Sequence, residues 1–105
     1  MYELRQYRIK KGKMKDWVRL METEIIPFQV SKGMVIAGSF TAVEEATLYV
    51  WLRRFSTEAQ RKRLYDKVYG TEHWKTVISP KIDKLLDRSS IIVTKLAPTA
   101  ASVLQ

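Results

Sequence analysis

The sequence predicts an α+β domain with the ferredoxin-like order β-α-β-β-α-β and a four-stranded antiparallel sheet. Four short segments have the apolar patterns of strands, namely residues 2–9, 34–41, 48–55 and 90–96. Segments in which apolar side chains recur every three or four residues follow the first and the third of these strands. Two βαβ halves of this kind place both helices on one face of the sheet and the first and third strands at its centre.

The length and composition fit one domain. The chain has 105 residues, of which 46% are hydrophobic and 29% are charged, enough for one modest core. We assign residues 1–96 to the domain and expect residues 97–105 to form a tail that is loose or packs on a neighbouring subunit. No apolar run approaches the roughly 20 residues of a membrane helix, and no secretory signal is visible, so we expect a cytoplasmic protein.

The first helix is predicted from residue 14 onwards. Apolar residues from Met14 to Phe28 keep the spacing of one helix face, and the helix should end near Gly33. Pro27 lies inside this pattern. Because proline lacks an amide hydrogen and crowds the carbonyl four residues back, a kink or an early end is predicted there. In the second strand, Gly38 indicates a bulge or a close approach of another backbone.

The second helix is predicted in pieces. Ser56 is the expected cap of the first piece, which runs to about Tyr69. Gly70 suits a left-handed C-terminal cap, and Thr71 can cap a further turn. Pro80 then restarts the helix at its first position.

The two faces of the predicted sheet differ in chemistry. Alternate positions of the first and third strands carry aliphatic side chains on one side and aromatic or charged side chains on the other. The aliphatic set fits a core covered by helices, so the second set is assigned to the free face. Such a face would expose a larger apolar patch than soluble monomers normally show. The set assigned to the free face consists of Glu3, Arg5, Tyr7, Tyr49, Trp51, Arg53 and Phe55.

Two kinds of partner could cover that face. A second copy of the chain, packed sheet to sheet, would remove both patches and enclose a pocket, which predicts a homo-oligomer of two or more subunits. Single-stranded nucleic acid is the alternative, because RNA recognition motifs stack bases on the same strands. The third-strand signature of that motif is absent and Glu3 would repel phosphate, so nucleic acid is disfavoured despite a net charge of +8.

Four separated segments resemble a known family. They are YELRQYRIKKGKM at residues 2–14, IIPFQ at 25–29, YVWLRRF at 49–55 with the arginine-rich helix after it, and VYGTEHW at 68–74. These segments resemble the NIPSNAP family over nearly the whole chain, without a catalytic signature. The resemblance implies a dimeric α/β barrel, in which two ferredoxin-like subunits join sheet to sheet around an internal pocket. Its relatives on the same barrel include cofactor-independent monooxygenases and haem-degrading enzymes, by fold alone.

We expect the pocket to bind a small hydrophobic or aromatic molecule with an acidic or carbonyl end. The rings would hold the body of the ligand, Arg5 and Arg53 would hold its polar end, and Glu3 would orient the arginines. The structural alternative is that Tyr7 and Trp51 simply pack and that the charges form an ion pair at the dimer seam. A second hypothesis is a non-catalytic module whose basic surface and tail mediate assembly.

Catalytic motifs are scarce. His73 is the only histidine and a candidate acid or base, because its unperturbed pKa lies near neutrality; a surface or packing role is the alternative. One histidine and no cysteine leave no zinc constellation, so no metal is expected. No phosphate-binding loop or nucleophile elbow is present, and no cofactor is predicted. Whether the chain is an enzyme stays open, and any acid–base work would fall to Glu3, Tyr7 or His73.

Overall fold

A four-stranded antiparallel sheet carries two helical segments on one face. A computed structural model describes residues 1–105. The sheet order is β2-β3-β1-β4, so the first and third strands lie at the centre and the predicted fold class is confirmed. No helix is both long enough and apolar enough to cross a bilayer. The strands are β1 (Tyr2–Ile9), β2 (Val35–Thr41), β3 (Leu48–Arg54) and β4 (Leu86–Leu96).

The strand boundaries differ from the predicted ones mainly in β4. This strand begins at Leu86 because Leu86 and Asp87 pair with the end of β1, beyond an irregularity in the pairing between Gln6 and Arg8. Because the residues directly after Leu86 are polar, the apolar pattern did not predict this part of the strand. A register shift between Ile36 and Gly38 confirms the bulge predicted in β2.

Each helical segment contains a π-turn. The first consists of α1 (Met14–Leu20), a π-turn (Met21–Ile25) and α2 (Ile26–Ser31). The second consists of α3 (Glu58–Tyr69), a π-turn (Trp74–Ile78) and α4 (Ser79–Asp83). The helix predicted to kink or end at Pro27 therefore continues to Ser31, and the local irregularity is the wider turn before the proline.

The two π-turns share a short sequence pattern. Threonine precedes proline by four positions in both, as Thr23 with Pro27 and Thr76 with Pro80. Each threonine hydroxyl donates to the carbonyl four residues back at 2.7 Å. The two halves therefore share a short sequence pattern as well as their topology, although the spacing of apolar residues did not reveal it.

Each π-turn aligns side chains spaced four residues apart. In a regular α-helix four residues overshoot a full turn by about 40°, so such a row winds around the helix. A π-turn is wider and falls short of a full turn over four residues, which offsets the drift. We call the resulting rows the Trp17 row (Trp17, Met21, Ile25 and Gln29, all buried) and the Trp74 row (Trp74, Ile78 and Ile82).

The faces of the sheet are the reverse of the prediction. Glu3, Tyr7, Tyr49, Trp51 and Arg53 are all buried and face the helices, whereas the aliphatic side chains of β1 and β3 other than the buried Ile9 lie on the outer face. The assignment was wrong because it reserved the core for aliphatic residues. Large rings bury more area than aliphatic side chains, and buried charges are tolerated where polar partners meet them.

Two predicted helix ends also differ from those in the structure. The Thr57 hydroxyl, and not that of Ser56, accepts from the Gln60 N–H at 3.0 Å and caps α3. Gly70 has a φ of −80°, so the predicted left-handed cap is wrong. Its N–H continues the helical pattern to the Asp66 carbonyl at 3.0 Å, because the next turn follows at once.

The C-terminal tail folds back over one end of the outer face. The Tyr2 hydroxyl and the Arg54 Nε both donate to the Gln105 carbonyl at 2.8 Å. Leu104 of the tail and Leu52 of β3 line the same shallow cavity. In this structure the tail packs on its own chain, and its contact with a neighbouring subunit stays a prediction.

Candidate functional site

A cavity of about 120 Å³ lies inside one chain, between the sheet and the helical segments. Its lining is predominantly aromatic and aliphatic, and all three tryptophans of the chain, Trp17, Trp51 and Trp74, contribute to it. The exposed Arg88 and the half-buried Ile91 place its mouth at β4. The volume is close to the about 150 Å³ of an apolar cavity that holds benzene, and it is well below the about 300 Å³ at which drug-sized pockets begin.

The Trp17 row forms one wall of the cavity. All four of its members line the space, and Trp74 and Ile82 of the Trp74 row line it from the second helical segment. Tyr7 packs edge to face on Trp17, with ring centroids 5.8 Å apart. The π-turns thus set the shape of the site, because they bring these side chains into line.

The seven predicted ligand-binding residues share one face of the sheet, but only some reach the cavity. Arg5, Tyr7 and Trp51 line it. The other four lie beside it in the same layer, so their direct contact with a ligand has no support from the geometry. These four are Glu3, Tyr49, Arg53 and Phe55.

Arg53 is fully buried, and each of its nitrogens donates within the chain. Nε and Nη2 donate to Glu3 Oε1 at 3.2 and 2.5 Å. Nη1 donates to Gln29 Oε1 at 2.9 Å and to the Tyr69 hydroxyl at 2.7 Å, and Nη2 also donates to the Tyr65 hydroxyl at 2.8 Å. Because its N–H groups are occupied, Arg53 joins both helical segments to the sheet and keeps none for a ligand.

Glu3 is the fully buried carboxylate that faces Arg53. Its Oε2 accepts from the Tyr65 hydroxyl at 2.5 Å. Burial raises the pKa of Glu3, but the positive charge of Arg53 and the hydrogen bond from Tyr65 outweigh it, so the pKa lies below its usual value. Glu3 is therefore ionised at neutral pH.

Arg5 is the cation of this cluster with the weakest partners. Its Nε donates to the Tyr7 hydroxyl at 2.7 Å. Its Nη1 lies 3.3 Å from both Glu3 Oε1 and the Tyr65 hydroxyl, and its Nη2 has no hydrogen-bond partner. Since Glu3 Oε1 already accepts two bonds from Arg53, Arg5 brings an incompletely paired guanidinium to the cavity wall.

Arg61 belongs to a separate pair. Its Nε and Nη2 donate to the two oxygens of Glu58 at 3.0 and 2.8 Å, and these hydrogen bonds lower the pKa of Glu58 to about 2. A longer contact of 3.4 Å joins Arg61 Nη1 to Glu3 Oε2. The neighbouring Lys62 and Arg63 are exposed to solvent, whereas Arg61 is half-buried.

The buried phenols stay protonated at neutral pH. Burial raises the pKa of Tyr65 to about 12, and it raises the pKa of Tyr7 as well. The Trp51 indole N–H lies close enough to lower the pKa of Tyr7 in part, although it completes no hydrogen bond of normal geometry. These hydroxyls therefore act as neutral donors and acceptors, and no base is available from them.

His73 lies outside the cavity. Its exposed ring contacts Phe28, with ring centroids 4.9 Å apart. The geometry gives no support to its role as acid or base, which stays a prediction. No group of three or more histidine, cysteine or acidic side chains is placed to hold a metal ion.

The partners on the helices were missed by the sequence interpretation. Gln29, Tyr65 and Tyr69 surround Arg53, yet each looked like an ordinary helix residue. One signal was present: Arg61, Tyr65 and Tyr69 are spaced four residues apart on one helix, which places three polar-tipped side chains on one face.

A family model and several solved structures are similar to this chain. A model of the NIPSNAP family matches residues 2–101. A solved NIPSNAP family protein with unknown function from Agrobacterium tumefaciens is 25% identical, with a TM-score of 0.89 over 99% of this chain and 92% of that chain. An uncharacterized NIPSNAP domain protein from Burkholderia xenovorans is 19% identical, with a TM-score of 0.84 over 96% of each chain.

More distant similarity extends to an enzyme fold. A solved antibiotic biosynthesis monooxygenase is 15% identical, with a TM-score of 0.62 over 93% of this chain and 100% of that chain. At this identity the similarity concerns the fold alone. No curated protein matches the chain.

Proposed function

Because the chain belongs to the NIPSNAP family, of which a solved member has unknown function, we propose a function from the cavity itself. The chain binds a small hydrophobic or aromatic molecule, about one ring in size, that carries a carbonyl or acidic end. Trp51 and the Trp17 row hold the ring, and Arg5 holds the polar end. The protein does so as a homodimer joined through the outer faces of its sheets.

One observation carries the proposal: an apolar cavity of about 120 Å³ has the half-buried guanidinium of Arg5, whose Nη2 has no hydrogen-bond partner, in its wall, whereas the other lining arginine, Arg88, is exposed at the mouth and paired with Asp83. Ligand sites combine this apolar lining with a few polar groups that fix orientation. The lining includes no carboxylate and no histidine. The proposal is therefore one of binding, with no acid–base reaction assigned to the cavity.

The outer face supports the dimer. Phe40 and Ile92 are each 57% exposed there, and Leu96 is 40% exposed. Leu4, Val50 and further aliphatic side chains lie half-buried between them. A second copy packed on this face would remove the patch from water. A space between two such sheets would be lined mainly by aliphatic residues and Phe40 and would lack the tryptophans and Arg5, so the ligand site lies within each subunit and not between the facing sheets.

Tryptophan fluorescence tests the binding, because all three tryptophans line the cavity. We expect 4-nitroacetophenone, a single-ring ketone that quenches indole emission, to quench saturably at one site per chain and to raise the melting temperature. Ile82→Phe fills the cavity and should weaken binding by roughly tenfold or more, since a ring-sized space is lost.

Ile92→Phe is the matched control. It makes the same substitution on the outer face, where Ile92 is exposed, and should leave the quenching curve unchanged. Quenching that does not saturate, or equal effects of the two variants, would refute a ligand site in this cavity.

A further inference from the structure

We propose that the cavity takes its ligand as an anion: a single-ring weak acid, bound in the ionised form with its negative charge against Arg5. This inference rests on the proposed function, and it names the charge state and hydrogen-bonding character of the ligand.

The first argument is a charge count. Three arginines, Arg5, Arg53 and Arg61, meet at the buried end of the sheet. Arg61 is paired with Glu58, and Arg53 is paired with Glu3 at 2.5 Å. Arg5 then has only a 3.3 Å contact with a carboxylate oxygen that already serves Arg53. A largely buried cation needs a negative partner, and the cavity beside Arg5 is the space in which one can sit.

The second argument is a count of free donors. Arg5 Nη2 has two N–H groups without a partner. The Tyr69 hydroxyl accepts from Arg53 Nη1 at 2.7 Å, and the Tyr7 hydroxyl accepts from Arg5 Nε at 2.7 Å. Guanidinium groups only donate, so each phenol must accept, and its own proton is left without an acceptor in the chain. All three residues line the cavity.

The third argument is the lack of acceptors. Aspartate, glutamate and histidine are missing from the lining, and the Gln29 Oε1 is occupied by Arg53 at 2.9 Å. A cationic ligand would meet two arginines and no carboxylate, and an alcohol or amine would leave most of the free donors without an acceptor. An oxyanion accepts from each of the free donors. Such a site stabilises the ionised form of a weak acid and so lowers the pKa of the bound molecule.

The probe is 4-nitrophenol, a single ring whose colour reports ionisation. Absorbance measures the ionised fraction, and quenching of tryptophan emission measures occupancy. We expect the bound dye to be ionised at a pH where most of the free dye is not. Its apparent affinity should fall about tenfold for each pH unit below the pKa of the free dye, because only the anion binds.

Variants localise the effect. Arg5→Gln should weaken binding of the nitrophenolate by roughly tenfold or more and weaken binding of 4-nitroacetophenone distinctly less, because the glutamine amide can still donate to a carbonyl but carries no charge for an anion. Arg8→Gln is the matched control, because Arg8 lies on the same strand but is exposed and paired with Glu45. Tyr69→Phe removes one free donor and keeps Arg53 bonded to Gln29, so we expect a loss of a few-fold.

The outcomes separate the two proposals. If the ketone binds and the dye either fails to bind or binds without a shift in ionisation, the anion proposal is overturned while the ligand cavity stands. If neither probe quenches saturably, the proposed function falls and the anion proposal falls with it. The pH dependence of the unmodified protein decides the question even if Arg5→Gln does not fold.

Discussion

At the scale of single residues, Glu3 organises the buried end of the sheet. One carboxylate receives Arg53 and the Tyr65 hydroxyl, and those two side chains connect strand β3 and helix α3. The sequence could single out Glu3, Arg5 and Arg53, because alternating charges in central strands are unusual. It could not place them on the correct face, since their partners Tyr65, Tyr69 and Gln29 come from helices distant in sequence.

Replacing Glu3 by glutamine should destabilise the fold by about 3–5 kcal/mol, because Arg53 loses its charge partner while buried. The folded-state pKa of Glu3 lies below the unfolded value of about 4.3. Its stabilisation is therefore fully present above that pH and is lost as the pH falls through the folded pKa. Urea unfolding between neutral pH and pH 3 measures both effects, and the acid-induced loss should be smaller in the variant.

The control for this substitution is Glu45→Gln, which breaks the exposed pair with Arg8 and should cost no more than about 1 kcal/mol. Equal destabilisation by the two variants, or an unchanged acid response in Glu3→Gln, would contradict a stabilising role for the buried carboxylate.

At the scale of the elements, each helical segment was predictable in type and not in detail. The apolar spacing after residue 14 predicted a helix, and Pro27 predicted an irregularity. The irregularity is a π-turn followed by more helix, and Trp17, Met21, Ile25 and Gln29 are all buried along it. A periodicity derived for a regular helix cannot express this, because it fixes the turn at 3.6 residues.

The start of α3 gives an element-level prediction. Thr57→Ala should lower the free energy of unfolding by about 1 kcal/mol, because the Gln60 N–H loses its acceptor at 3.0 Å. Ser56→Ala should change it by less than about 0.5 kcal/mol, since the Ser56 hydroxyl does not cap the helix. Denaturant unfolding of both variants measures the difference. A larger effect at Ser56 would contradict the assigned cap.

At the scale of the whole molecule, topology was the most predictable property and the use of each sheet face the least. The order of elements fixed two βαβ halves and placed β1 and β3 at the centre. The order of elements left open which face of the sheet packs on the helices, because both faces have similar apolar content. The face that carries the aromatic rings is the one buried against the helices. The outer face then became aliphatic, which keeps the reason to expect a second subunit and moves the ligand site away from the interface.

The oligomeric state tests the outer face. We expect a dimer by sedimentation velocity at micromolar concentration, and Val50→Glu should convert it to a monomer, because Val50 lies in β3 at the middle of that face. The matched control is Val43→Glu in the exposed loop before β3, which should leave the dimer intact. A monomeric unmodified protein, or a dimer that persists with Val50→Glu, would argue against this arrangement.

The alignment of the Trp17 row has a consequence for how substitutions can change the length of the chamber that it lines. Because its members follow one another in single file, shortening one of them lengthens the chamber in one direction and leaves Arg5 in place. Met21→Ala or Ile25→Ala would therefore be expected to shift preference towards longer molecules with the same acidic head. Relatives could diverge in the size of molecule they accept by point substitutions along this file, without any change in backbone or in the charge they select.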